Sequence, residues 1–295
     1  MNHIKDQIRC GAAYRLGLTG KGIGVAVLDT GIFLHRDFDS RVTGFADMVN
    51  GKNFAYDDCG HGTHICGIIG GSGRMSGGRY SGIAPGCDLV MVKVLDRKGN
   101  GYSSDVLAGI SWILERKEKL GIRILNISVG ACSKRGMSEN SALVKGVNRA
   151  WDAGLVVVVA AGNNGPRTMS ITTPGISRKV ITVGCSDDDR EVLVGGNRMV
   201  DYSGRGPTAA CICKPDLVAP GCSVVSCSSR ADKYTIKSGT SMSTPIVSGA
   251  VALLLERFPD MTNKDVKLRL RESSVDIGLP RNQQGWGKFN CRKFM

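Results

Sequence analysis

Apolar residues fall into short, β-branched blocks rather than long periodic stretches. The blocks 23–28 (IGVAVL), 89–95 (LVMVKVL), 122–129 (IRILNISV), 155–161 (LVVVVAA) and 180–184 (VITVG) are too short for ordinary helices and read as buried strands. Helical patterns lie between and after them. One, tolerant of glycine, covers 65–69. A second places Val106, Leu107, Ile110, Ile113 and Leu114 at helical spacing, with Ser103 or Ser104 available as cap. Others run near 140–152, stopped by Gly154, then over 246–258, and over 262–273 with Thr262 as cap. Residues 1–22 read as a helical lead-in and a turn, and 36–58 and 201–220 as loop. Strands alternating with helices predict an α/β fold, a doubly wound and mostly parallel central sheet flanked by helices. No repeat or linker interrupts the pattern, which predicts one domain over 1–295.

Composition narrows this picture. Hydrophobic residues make up 42% and charged residues 22%, as in ordinary globular proteins. The net charge of +13 is spread along the chain, with small clusters at 116–119, 264–271 and 292–293 and no aromatic-interleaved basic stripe. A solvated basic surface is expected, with no specific nucleic-acid partner. No apolar run approaches the ~20 residues of a membrane span, so no membrane partner is expected. Met1–Arg9 is polar and lacks the apolar segment of a secretory signal, which predicts a cytoplasmic location. Eleven cysteines, an odd number, then read as free thiols. Cys211 and Cys213 have no second pair or nearby histidine to complete a zinc site.

Several apolar blocks end in chemistry. The first stops at Asp29-Thr30-Gly31, and a carboxylate at the C-terminal end of a buried strand is either functional or a solvated turn residue. Two of the four histidines sit in Gly60-His61-Gly62-Thr63-His64. Metal ligation by both ranks below one catalytic and one buried structural histidine, because no acidic residue completes a zinc-protease pattern. The fourth block ends at Gly162-Asn163-Asn164-Gly165, where an amide could donate to an oxyanion. Ser241, in Ser238-Gly239-Thr240-Ser241-Met242-Ser243-Thr244-Pro245, precedes an apolar helical run. It is either a helix cap or a nucleophile placed where helix-terminal N–H groups favour negative charge.

Taken together, Val-Leu-Asp-Thr-Gly (27–31), Gly-His-Gly-Thr-His (60–64), Ala-Ala-Gly-Asn-Asn-Gly (160–165) and Gly-Thr-Ser-Met-Ser-Thr-Pro (239–245) resemble the subtilisin-like serine peptidases, from about residue 18 to the end. The stretches 214–221 and 284–287 also match. The resemblance implies an endopeptidase that hydrolyses peptide bonds through an acyl-enzyme intermediate, with protein or peptide substrates. Ser241 is the implied nucleophile, His61 its base and Asp29 the residue that orients the imidazole. The Asn163 amide and the Ser241 N–H would hold the oxyanion. An extended substrate would pair with Gly99-Asn100-Gly101 and with Ser128-Val129-Gly130. The pocket for the residue before the scissile bond (P1) would be walled by 128–130 and by Ala160, Ala161 and Gly162. Those walls hold no carboxylate, so an apolar or broad P1 preference is expected. Thr173-Pro174 matches a place where the family often has a cis proline.

Departures from the family pattern carry expectations too. The 28 residues before Asp29 are too few for a folding propeptide, as in intracellular or mature-form members. Asp37 resembles a calcium ligand, but the loop 70–82 that would complete the site has two arginines and neither carboxylate nor asparagine. No cofactor is expected, and no calcium at that loop, with weaker binding elsewhere left open. Two other classes compete with the peptidase: a silent relative that keeps the binding groove, and a polyanion-binding protein suggested by the charge.

Overall fold

A computed structural model describes residues 1–130 and 139–295. Eleven strands occur among them: β1 Gly24–Asp29, β2 Val42–Asp47, β3 Asp88–Lys93, β4 Ile122–Ile127, β5 Val156–Ala160, β6 Ile181–Cys185, β7 Val192–Val194, β8 Asn197–Met199, β9 Leu217–Ala219, β10 Val224–Cys227 and β11 Tyr234–Lys237. Seven of them form one parallel sheet in the order β2-β3-β1-β4-β5-β6-β9. The β7–β8 and β10–β11 pairs are antiparallel hairpins. The helices are α1 Asn2–Gln7, α2 Gly11–Arg15, α3 His61–Gly70, α4 Ser103–Arg116, α5 Ala142–Asp152, α6 Thr240–Arg257, α7 Asn263–Ser273, α8 Arg281–Gln284 and α9 Cys291–Phe294.

Strand order explains where function can sit. The chain leaves β1 for β2 at the sheet edge, returns through α3 to β3 between them, then crosses over β1 through α4 to β4. Gly109 of α4 faces Leu28, Val92 and Val94, whereas Gly62 and Gly70 of α3 face Met91 and Leu89, so the two helices lie on opposite faces and the sheet is doubly wound. The order reverses at β1, and the crevice beyond the C-terminal ends of β1 and β4 is where such sheets hold ligands. Asp29 ends β1, Ser128 follows β4 and Asn163 lies just past β5.

Helix α6 packs against β1, β4, β5, β6, β9 and α3. All but three of its 18 residues are buried, which is why its sequence is apolar or small on every face. The expected helix began at 246; the observed one starts at Thr240, so Ser241 lies in its first turn. Neither Ser103 nor Ser104 caps α4, whose cap position is Tyr102 without a side-chain bond. Thr262 does cap α7, in a reciprocal capping box with Asp265.

Two stretches read as loop contain sheet strands. β2 was hidden because its residues are mostly half-buried, with Gly44 pressed against Leu120 and Val90 side chains. β9 is a fully buried three-residue strand confined between Pro215 and Pro220.

Candidate active site

Asp29 is fully buried at the end of β1. Its Oδ1 accepts the Thr30 N–H at 2.8 Å, and its two oxygens lie 2.7 and 2.9 Å from His61 Nδ1. An ionised carboxylate only accepts, so Nδ1 carries the imidazole proton and Nε2 is the basic nitrogen. Burial pulls the His61 pKa down, while the charge and hydrogen bond of Asp29 pull it up; the net result lies above the ordinary 6.5. The ring is 22% exposed, enough to meet a substrate in the cleft it lines.

His64, one turn further along α3, has the opposite environment. It is fully buried, and Nε2 lies 3.1 Å from the Val224 carbonyl and 3.2 Å from that of Thr235. Burial first, then the positive charge of Lys237 and the neighbouring His61, push its pKa down to about 3. It stays neutral and ties α3 to the β10–β11 hairpin.

Ser241 lines the same cleft as His61, a cavity of about 450 Å³. Its hydroxyl donates to the Ser128 carbonyl at 2.7 Å. Asn163 is oriented from the start of α6: its Oδ1 accepts the Thr240 N–H and the Thr240 hydroxyl, each at 3.0 Å. The same hydroxyl accepts the Gly162 N–H at 3.2 Å. With its oxygen engaged, Asn163 has the amide N–H groups left to donate. Gly239 allows this approach: it has φ +139, and a Cβ there would lie 3.3 Å from Asn163 Nδ2.

The cleft is also lined by Gly99, Ser128, Val129, Gly130, Ala160 and Gly162. Asn100 and Gly101 line instead an adjoining cavity of about 220 Å³, which shares Leu95, Gly99, Val129 and Gly130 and adds the apolar side chains of Val106, Ile127 and Leu143. Ala161 does not reach the cleft. It is fully buried in a small cluster with Val144, Ile171 and Ile176, because successive residues of an extended segment face opposite ways.

A search of family models matches the chain over residues 20–287 to the subtilase family. The chain belongs to this family. It is 42% identical over 290 residues to the serine protease AprX of Bacillus subtilis (strain 168), covering 92% of this chain and 65% of that protein. It is 34% identical to subtilisin BL of Lederbergia lenta, covering 97% of this chain and 95% of the relative. Among solved structures, Sphericase superposes with a TM-score of 0.77 at 31% identity, covering 92% of each chain. A cold adapted subtilisin-like serine proteinase gives 0.75 at 28%, covering 93% of this chain and 90% of the other. This subtilase thus spans just under two thirds of AprX but nearly all of subtilisin BL.

Three residues that position the subtilase site escaped the sequence reading. Asp57 accepts from Thr30 Oγ1 (2.9 Å), Cys59 N (3.1 Å) and Gly60 N (2.7 Å) through Oδ1, and from Thr63 N (2.9 Å) and Thr63 Oγ1 (2.5 Å) through Oδ2. It therefore fixes the turn that delivers His61 to Asp29. Its place three residues before Gly60 at a helix start was the available signal. Thr172 lies between the two cleft walls: a Cβ on Gly130 would be 2.3 Å from its Oγ1, and one on Gly162 2.4 Å from its Cγ2. Lys93 is fully buried beside Asp29 in the β1–β3 register, with Nζ donating to Thr30 O (2.6 Å), Leu95 O (2.7 Å) and Asp58 Oδ1 (2.8 Å). The Thr173-Pro174 bond is cis, as expected.

Proposed function

We propose that this chain is a serine endopeptidase acting on proteins or peptides, with Asp29, His61 and Ser241 as its triad and Asn163 as oxyanion donor. The observation that carries the reading is the convergence of Ser241, His61 and Asn163 on one cleft, with His61 Nδ1 held by buried Asp29. In the reaction the Ser241 hydroxyl leaves the Ser128 carbonyl, gives its proton to His61 Nε2 and attacks the scissile carbonyl. The imidazolium, stabilised by Asp29, returns the proton to the leaving amine. Water then hydrolyses the acyl-enzyme with His61 again as base. Asn163 Nδ2 and the Ser241 N–H, at the start of α6, stabilise the oxyanion.

The cleft walls favour apolar or aromatic side chains at P1, with Thr172 between the walls. The adjoining apolar cavity gives further purchase on the acyl side of the substrate. No calcium is needed at Asp37, whose oxygens already accept from the Met75 N–H at 3.0 Å and the Tyr234 hydroxyl at 2.8 Å. No helix among the described residues is long and apolar enough to cross a membrane. A reducing, cytoplasmic setting suits eleven cysteines, with Cys10 and Cys291 sulfurs 3.6 Å apart as thiols.

The test is cleavage of a mixed peptide pool by the protein beside Ser241→Ala. Cuts made by the wild type alone support the reading and give the P1 profile directly. Equal cutting by both, or by neither, rejects it.

A further inference from the structure

Charge is distributed unevenly around the cleft. Its lining includes two lysines, Lys98 and Lys237, and no carboxylate; the adjoining apolar cavity has no charged residue at all among the described residues. Neither ammonium takes part in an ion pair among the described residues, whereas Lys93, Lys117, Lys179, Lys214 and Lys267 all do. Lys98 is exposed on the turn that leads into Gly99–Gly101. Asp96, on the same turn, has its Oδ1 engaged by the Lys98 and Asn100 N–H groups at 2.8 and 2.9 Å, and Arg97 adds a second exposed cation. That turn is net positive. Lys237 ends β11, four residues before Ser241, and its charge acts on Cys59, His61 and His64. The carboxylates near it are occupied: Asp29 by His61, Asp57 by the turn it fixes, and Asp58 by Lys93.

These two lysines line the same cleft as His61 and Ser241. Gly99 and the 128–130 segment bound the acyl side of the cleft, and His61, which returns a proton to the leaving amine, marks the other. We propose that the cleft selects peptides bearing carboxylate side chains on both flanks of the scissile bond, with Lys98 reading the acyl side and Lys237 the leaving side. This rests on the endopeptidase reading and names its substrate class. A cleft of one sign attracts oppositely charged substrate and repels like charge, on top of the overall charge of +13. The P1 pocket itself carries no charge, so selection is exerted by neighbouring residues while P1 remains apolar.

The experiment uses quenched peptides with one apolar P1 residue, differing only by Glu, Gln or Lys two residues before or two after it. At low ionic strength, wild-type kcat/KM is expected to rise about fivefold for Glu over Gln at each flank and to fall for Lys, as for one partly screened ion pair. High salt should bring the ratios towards one. Lys98→Glu should invert the preference on the acyl side alone, and Lys237→Glu on the leaving side alone. Lys237→Glu should also move the acidic limb of the pH profile upward, since its cation lowers the His61 pKa. Equal rates for Glu, Gln and Lys peptides, with Ser241→Ala inactive on all, would overturn this proposal and leave the endopeptidase reading standing. Absence of turnover on every peptide would overturn both.

Discussion

Two buried acid–base pairs stand in the sheet, and they do different things. Asp29–His61 lies at the mouth of β1, and Lys214–Asp216 lies between β6 and β9. In each the carboxylate is almost wholly buried and also accepts a backbone N–H, from Thr30 in one and Thr182 in the other. The difference is in the base. Lys214 Nζ is enclosed and has three partners, Asp216 at 2.5 Å, Thr182 Oγ1 at 3.0 Å and the Val180 carbonyl at 3.1 Å. His61 uses one ring nitrogen on Asp29 and leaves the other without a protein partner among the described residues. Full satisfaction makes a structural clamp between strands; one unsatisfied basic nitrogen at an open edge is what the role proposed for His61 requires.

The largest effect should come from breaking the open pair. Asp29→Asn keeps the shape but offers the imidazole an amide, and kcat should fall about 10⁴-fold, the order seen for this change in other Ser-His-Asp triads. Thermal unfolding should move little by comparison. Next comes Asn163→Ala, for which kcat should fall about 10²–10³-fold, the range already known for this donor in subtilisin-type enzymes. Thr240→Val, which removes the hydroxyl linking Gly162 N–H to Asn163 Oδ1, should cost about tenfold with KM nearly unchanged. A Thr240→Val enzyme with full kcat would show that Asn163 holds its place without that hydroxyl.

Breaking the closed pair should act on stability instead. Lys214→Met leaves the Asp216 carboxylate with Thr182 N–H at 2.7 Å and Lys267 Nζ at 3.5 Å. Urea unfolding should show a loss of about 3 kcal/mol, typical of stranding one partner of a buried pair. The activity of the remaining folded fraction should match the wild type. A selective loss of kcat would mean that the clamp reaches the site, 25 residues of chain before Ser241 though it is.

How much of this was legible beforehand follows the same division. Asp29, His61, Asn163 and Ser241 sit at the ends of strong apolar blocks or inside glycine-rich motifs, where a polar residue stands out against its neighbours. Five central strands were legible because fully buried parallel strands read as continuous β-branched runs. β2 gave no such run, and β9 is three residues between prolines. Asp57, Lys93 and Lys214 were not singled out, because their importance comes from burial and from partners remote in sequence. Lys93 is the one charged residue in the apolar block 89–95, and nothing in that block shows its partners; the fold buries it beside Asp58 and two carbonyls. Ala161 failed in the other direction: its motif placed it at the cleft, and strand alternation turned it into the core.

The subtlest separation of the two pairs is in how they titrate. The His61 pKa is raised, so the folded state binds its proton more tightly than the unfolded chain. That stabilisation is complete below pH 6.5 and is lost as pH rises through the folded value. The Lys214 pKa is lowered to about 8, burial outweighing the pull of Asp216. The destabilisation from its charge is present below about pH 8 and is relieved as pH rises towards the ordinary lysine value. The two contributions to stability therefore have opposite slopes. Under the proposed mechanism only His61 counts in catalysis: kcat/KM should fall on an acidic limb centred above pH 6.5, because imidazolium cannot take the Ser241 proton. Lys214→Met should leave that limb in place while removing the rise in stability above pH 8, measured by urea midpoints across the range. A limb that shifts with Lys214→Met would join the two pairs into one electrostatic unit and end the distinction drawn between them.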